Sequence, residues 1–171
     1  MKVKEIQELK CLKNARMRIG LVNELHYDED IKECFEDFGD IQHTKDDTDY
    51  FDWENENAIW ELKTRFVKQK QYPDTIIGYD KIEYALTQID KGKQVFCLFA
   101  FIDTGLTYWE LTKEKLEKMK IDVNGCYIRM NRKKHLHIPT DELINLSEKL
   151  PITSAEYDKH KTLYDYNRKT I

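Results

Sequence analysis

Helices laid over a central β-sheet, a mixed α/β domain, follow from three features of the sequence: one uninterrupted apolar run, two amphipathic stretches at helical spacing, and short alternating segments between them. The run is Val95-Phe96-Cys97-Leu98-Phe99-Ala100-Phe101-Ile102. It suits a buried strand and falls far short of the roughly 20 residues needed to cross a bilayer. The helical stripes are Ile31, Cys34, Phe35 and Phe38, then Ile82, Ala85, Leu86 and Ile89. At 171 residues, 40% hydrophobic and 35% charged, the chain can bury one real core.

Taken in order, residues 4–17 are weakly periodic and expected to be helical. A helix over about 28–38 has Asp28 available as N-cap and Gly39 to end it. Asp40–Thr44, Tyr50–Trp53 and Ala58–Val67 read as strands, with Glu54-Asn55-Glu56-Asn57 as turn material. A helix at about 80–90 stops before Gly92, and the buried strand 95–102 follows. Asp103-Thr104-Gly105 then turns the chain into Leu106–Leu111. A helix at about 113–120, strands at about 126–131 and 135–138, and helical pieces at 140–149 and 155–165 complete the expectation.

No internal repeat, low-complexity tract or Pro/Gly/Ser linker marks a boundary, so residues 1–171 are expected to form a single domain. The start, Met1-Lys2-Val3-Lys4-Glu5, leads into no secretory apolar block, and an intracellular compartment is expected. Cysteines 11, 34, 97 and 126 form no Cys-x-x-Cys pair and are expected to be buried thiols in a reducing environment.

Net charge is −4, but it is unevenly spread: residues 21–57 carry 14 acidic side chains against two lysines, a local −12, which leaves the remainder at +8. Clustered carboxylates serve either as a solvated face or as a metal site. The segment Asp49-Tyr50-Phe51-Asp52-Trp53-Glu54-Asn55-Glu56-Asn57-Ala58-Ile59-Trp60-Glu61-Leu62-Lys63 favours the second.

Along a strand, Glu61 and Lys63 share one face while Trp60, Leu62 and Thr64 share the other. With Glu56-Asn57 as a two-residue hairpin turn, Asn55 faces Ala58, Glu54 faces Ile59, Trp53 faces Trp60, and Asp52 faces Glu61. Opposed residues have Cβ atoms about 5 Å apart, and two carboxylates so placed repel unless a cation lies between them. Mg²⁺ or Mn²⁺ takes such oxygens, and the Leu62 carbonyl is available as a third ligand. Lys63 then sets an ammonium beside any water on that ion. This group suits phosphodiester hydrolysis, where a metal polarises the phosphoryl oxygen and acidifies a water, and a lysine offsets developing charge. An ordinary surface hairpin with a Glu61–Lys63 pair is the plainer alternative.

These residues resemble the PD-(D/E)xK phosphodiesterase superfamily, the restriction-endonuclease-like fold. Asp52 matches that family's aspartate, Glu61 its acidic second ligand and Lys63 its lysine, with residues 28–102 as the core motif region and 106–171 as elaboration. The resemblance implies a Mg²⁺-dependent endonuclease or related hydrolase, with DNA as the expected substrate, and a homodimer on duplexes. Phe51 stands where the family often has proline. Asp49 is an alternative metal ligand if the turn is longer. A helix glutamate often completes such sites, and Glu24, Glu29, Glu33 and Glu36 all compete for that role.

Nucleic-acid contacts are expected from Arg65, Lys68 and Lys70 beyond the motif, and from Lys81, Tyr84 and Gln88 on the polar side of the second helix, where this superfamily often places residues that support the site. The acid-free run Arg129, Arg132, Lys133 and Lys134 is a further phosphate-binding candidate. His135 and His137 share a strand face as a weaker transition-metal candidate. Two other classes stay open: a non-catalytic nucleic-acid-binding or assembly module retaining the nuclease fold, and an acidic surface for basic partners.

Overall fold

The computed structural model describes residues 15–44, 50–119, 121–122 and 134–156, with the side chains of 15–18 and 121–122 left aside. Its elements are α1 (Ala15–Cys34), a 3₁₀ turn (Glu36–Phe38), β1 (Gln42–His43), β2 (Trp53–Glu54), β3 (Ala58–Arg65), β4 (Asp74–Gly78) and α2 (Tyr79–Ile89). Then come β5 (Gln94–Phe101), β6 (Gly105–Leu111), α3 (Lys113–Lys118), β7 (Ile121–Asp122), β8 (His135–Pro139) and β9 (Ile144–Ser147).

The central sheet runs β1-β2-β3-β5-β6-β9, and β4-β8-β7 form a second, smaller sheet. The β3–β5 pair is parallel and every other pair is antiparallel, so the central sheet is mixed. A parallel pair needs a crossover, which β4 and α2 supply. Apolar clusters lie on both faces of the central sheet. Tyr27 and Ile31 of α1, with Phe35 just beyond its end, pack on Trp53, Trp60, Phe96 and Leu98. On the opposite face Ile82 and Ala85 of α2, with Ile77, Leu136 and Ile138 of the small sheet, cover Ile59, Cys97, Phe99 and Trp109. This explains why β5 is apolar at successive positions: both of its faces are buried.

The expected α/β architecture is therefore present, with several local corrections. No helix begins at Asp28. The helix runs unbroken from Ala15 to Cys34, and Asp28 lies inside it, bonded to Lys32 and to the Trp53 indole. Its buried line continues N-terminally through Tyr27 to Asn23, whose amide bonds Ile19, four residues before it, and Ile152. A polar residue in the stripe hid the helix's true length. Cys34 is exposed, Cys97 is buried, and Cys11 and Cys126 lie outside the described residues.

The helix expected at 140–149 is a 3₁₀ turn (Thr140–Glu142) followed by β9, because the ladder with β6 satisfies its backbone and Leu146 packs on the core. The strand β4 has no counterpart among the expected elements: its inward residues are only Thr75 and Ile77, and its partner β8 is distant in sequence. The expected strand at 126–131 lies outside the described residues, as does nearly all of the helix at 155–165.

No helix among the described residues is long and apolar enough to cross a membrane.

Candidate functional site

Strand β3 delivers the site. Its hairpin with β2 has the register read from the sequence, Trp53 opposite Trp60 and Glu54 opposite Ile59. Asn55 shapes the turn: its N–H donates to the Ala58 carbonyl, and its side-chain oxygen accepts from the Asn57 and Ala58 N–H groups. Alternation from this anchor sends Trp60 and Leu62 into the α1-side cluster and turns Ile59 and Glu61 to the α2 side.

Asp52 departs from the simple facing arrangement. The matched ladder ends at Trp53, though the Asp52 N–H still donates to the Trp60 carbonyl at 3.0 Å. Two residues further along β3, the partner is the side chain: the Leu62 N–H donates to Asp52 Oδ2 at 2.7 Å. The Asp52 carbonyl is occupied from the other edge by the Thr44 N–H at 2.9 Å and the Thr44 hydroxyl at 3.1 Å. Asp52 thus turns its carboxylate into the ladder beside Leu62. Since N–H and C=O of one residue leave a strand by the same edge, the Leu62 carbonyl lies on that edge too.

Glu61 is wholly buried. One carboxylate oxygen accepts from Lys63 Nζ, two residues along the same face, and the other from Lys81 Nζ of α2 at 3.1 Å. Burial and the nearby Asp52 charge push the Glu61 carboxyl up to about 7, against the pull of the two ammoniums. Burial, then Glu24, raises Asp52 to about 6, opposed by Lys63, the Leu62 N–H and Lys81. Burial disfavours the charged Lys63, but Glu61 and Asp52 outweigh it and hold its pKa above the ordinary lysine value.

The helix α1 contributes Glu24, whose Oε2 lies 2.8 Å from His43 Nε2, while His43 Nδ1 lies 2.7 Å from the Thr44 carbonyl. Burial works against a charged His43, yet the Glu24 carboxylate and Thr44 carbonyl, with Asp52 further off, raise its pKa. Three carboxylates (Glu24, Asp52, Glu61) therefore share one neighbourhood with Lys63, Lys81 and His43. Of the four competing glutamates, Glu29, Glu33 and Glu36 are exposed. No sequence signal selected Glu24, since its buried neighbour Asn23 is polar and reads as surface. His43 carried no motif and was not singled out.

The donor set of Asp52, Glu61 and the Leu62 carbonyl is hard oxygen, the chemistry that Mg²⁺ and Mn²⁺ take. Among the described residues no three acidic, His or Cys side chains form a ready ligand cluster. The two lysines supply the positive charge that the carboxylates need in the metal-free protein. Asp49, the alternative ligand, lies outside the described residues. His137 is 3.1 Å from Asp74, and it forms no metal-type group with His135.

The proposed nucleic-acid contacts separate. Arg65 is committed to the fold: its guanidinium donates to the Thr75 hydroxyl at 3.1 Å and to the Ile76 carbonyl, lies over the Phe99 ring, and has its pKa lowered by burial. It lines a cavity of about 340 Å³ with Val67, Tyr72 and Phe101, away from Glu61. Gln88 is buried on the inner side of α2, not on its polar side. Lys81 belongs to the carboxylate cluster, and Tyr84 packs beside it against Tyr50 and Phe51. Lys68, Lys70 and Lys134 are exposed; Lys70 lies 3.4 Å from Asp141 and Lys134 lies over the Tyr79 ring. Arg129, Arg132 and Lys133 lie outside the described residues.

No protein-family model matches this chain, and no curated protein matches it in sequence. The chemistry of the site has to be read from its own residues.

Proposed function

We propose that the chain is a metal-dependent nuclease of the PD-(D/E)xK type, hydrolysing phosphodiester bonds, with DNA as the expected substrate. The observation that carries this reading is the wholly buried Glu61 carboxylate, held by Lys63 two residues along its strand and close enough to Asp52 for that charge to hinder its ionisation. A fold does not gain stability by burying one acid beside another, so the arrangement is one expected of a cation site. The order α1, hairpin β2–β3, α2 and parallel β5 is compatible with a restriction-endonuclease-like core, with β4 inserted before α2.

In this reading Asp52, Glu61 and the Leu62 carbonyl hold Mg²⁺ or Mn²⁺. When bound, such an ion would polarise a phosphoryl oxygen and lower the pKa of a water. Lys63 Nζ, held as the ammonium by Glu61 and Asp52, would orient that water and offset charge developing at phosphorus. Lys81 fixes the second Glu61 oxygen. Glu24 adds negative potential near Asp52.

The test is cleavage of labelled single- and double-stranded DNA and RNA in Mg²⁺. Lys63→Ala is expected to lower turnover by roughly 100-fold or more with unchanged circular dichroism. Glu61→Gln is preferable to Glu61→Ala, which strands two ammoniums against a void. Wild-type cleavage persisting in excess EDTA overturns the proposal. A second reading, a non-catalytic nucleic-acid-binding or assembly module, draws on one observation: both Glu61 oxygens already have lysine partners. Calorimetry with Mn²⁺ separates the two, since the nuclease binds the ion and loses it in Asp52→Asn.

A further inference from the structure

Tyr50 lies two residues before Asp52 and is 48% exposed. Its ring rests parallel on Tyr84 of α2, with centroids 4.5 Å apart and planes 5° from coincidence. Tyr84 leans in turn on buried Phe51, at 5.8 Å. Lys81, one helical turn before Tyr84, donates both to the Tyr50 carbonyl and to Glu61 Oε2. One ammonium therefore ties the position of this aromatic pair to the position of the buried acid.

Resting on the nuclease reading, we infer that the Tyr50–Tyr84 pair is a stacking platform for an unpaired nucleobase beside the phosphate under attack. The substrate class is then single-stranded nucleic acid, or a frayed or flapped end, rather than intact duplex. An exposed aromatic face backed by a second ring is already oriented for stacking, and every base offers a π-face to it. Bases inside a duplex already have both faces occupied.

Electrostatics favours the same conclusion. The chain carries a net −4, Arg65 is bound to β4, and exposed Asp80 and Glu83 stand on α2 near the platform. Those two acids do not favour a phosphate beside the platform, whereas stacking of an uncharged base does not depend on phosphate attraction.

The test uses oligonucleotides with 2-aminopurine at one position, titrated with the full chain in EDTA, and the same sequences cleaved in Mg²⁺. Quenching of an unpaired 2-aminopurine is expected, with little for the same base in a duplex. Tyr50→Ala should weaken single-strand binding by roughly tenfold and abolish quenching, while Tyr50→Phe keeps both, since the ring is retained. An abasic site at the stacked position should reproduce the Tyr50→Ala loss in wild-type protein. Equal affinity of Tyr50→Ala and wild type, indifference to the abasic site, or preference for intact duplex overturns the platform. Tyr50-dependent quenching without Mg²⁺-dependent cleavage upholds the platform and removes the nuclease. Cleavage that ignores Tyr50 removes the platform alone.

Discussion

Burying Glu61 beside Asp52 makes the stability of the metal-free protein depend on pH in an unusual direction. Glu61 moves from the ordinary 4.5 to about 7 in the folded chain. It therefore binds its proton more tightly folded than unfolded, and the folded state holds more protons between pH about 4.5 and about 7. Stability must fall as pH rises through that window. Each pH unit over which the folded chain alone keeps this proton is worth about 1.4 kcal/mol, so the loss from Glu61 between pH about 5 and about 8 is on the order of 2–3 kcal/mol. In a chain of this size that lowers Tm by roughly 5–10 °C. Asp52, raised to about 6, and His43, whose charged form is stabilised by Glu24, act in the same direction; His26, whose pKa burial lowers, opposes them at the acidic end.

The assay is thermal or urea unfolding in EDTA across pH 5 to 8. Glu61→Gln should remove the largest single part of the slope, which separates Glu61 from Asp52 and the two histidines. Excess Mn²⁺ should restore stability at the alkaline end, because it binds the ionised acids and adds about 2.7 kcal/mol at 100 times its dissociation constant. A flat profile in EDTA, or stability rising with pH, refutes the reasoning that Glu61 is a buried acid near an acidic neighbour.

Lys81→Met should move the pH of that stability loss upward, since Glu61 then keeps only Lys63; an unchanged profile counts against the Lys81–Glu61 contact. Gly105 has φ +78°, and a Cβ there would meet the Ser147 carbonyl oxygen at 2.3 Å. Gly105→Ala is therefore expected to cost roughly 3 kcal/mol in urea unfolding, by displacing β9 and straining the backbone. Trp53→Phe deletes the indole N–H bonded to Asp28 at 2.8 Å and should destabilise by about 2 kcal/mol, read in the same way. Calorimetric titration with Mn²⁺ should give one binding event that Asp52→Asn abolishes.

The hairpin was legible in the sequence because its determinants are local. Asn55 and the two-residue turn set the register, and the period of two then dictates that Glu61 and Lys63 share a face. The apolar run of β5 and the Ile82–Ala85 stripe of α2 were equally readable, since each states its own burial. The long helix was not, because its stripe includes Asn23, a residue buried only where the segment near Ile152 crosses it.

The same division holds for the site. Sequence spacing determined which face of β3 carries the acid and the lysine. Only the tertiary structure decided that Lys81 joins Glu61, that Glu24 rather than three rival glutamates lies behind Asp52, and that Arg65 is spent on β4. Those partners come from separate elements, and charges interact through space and burial, which no one-dimensional period records.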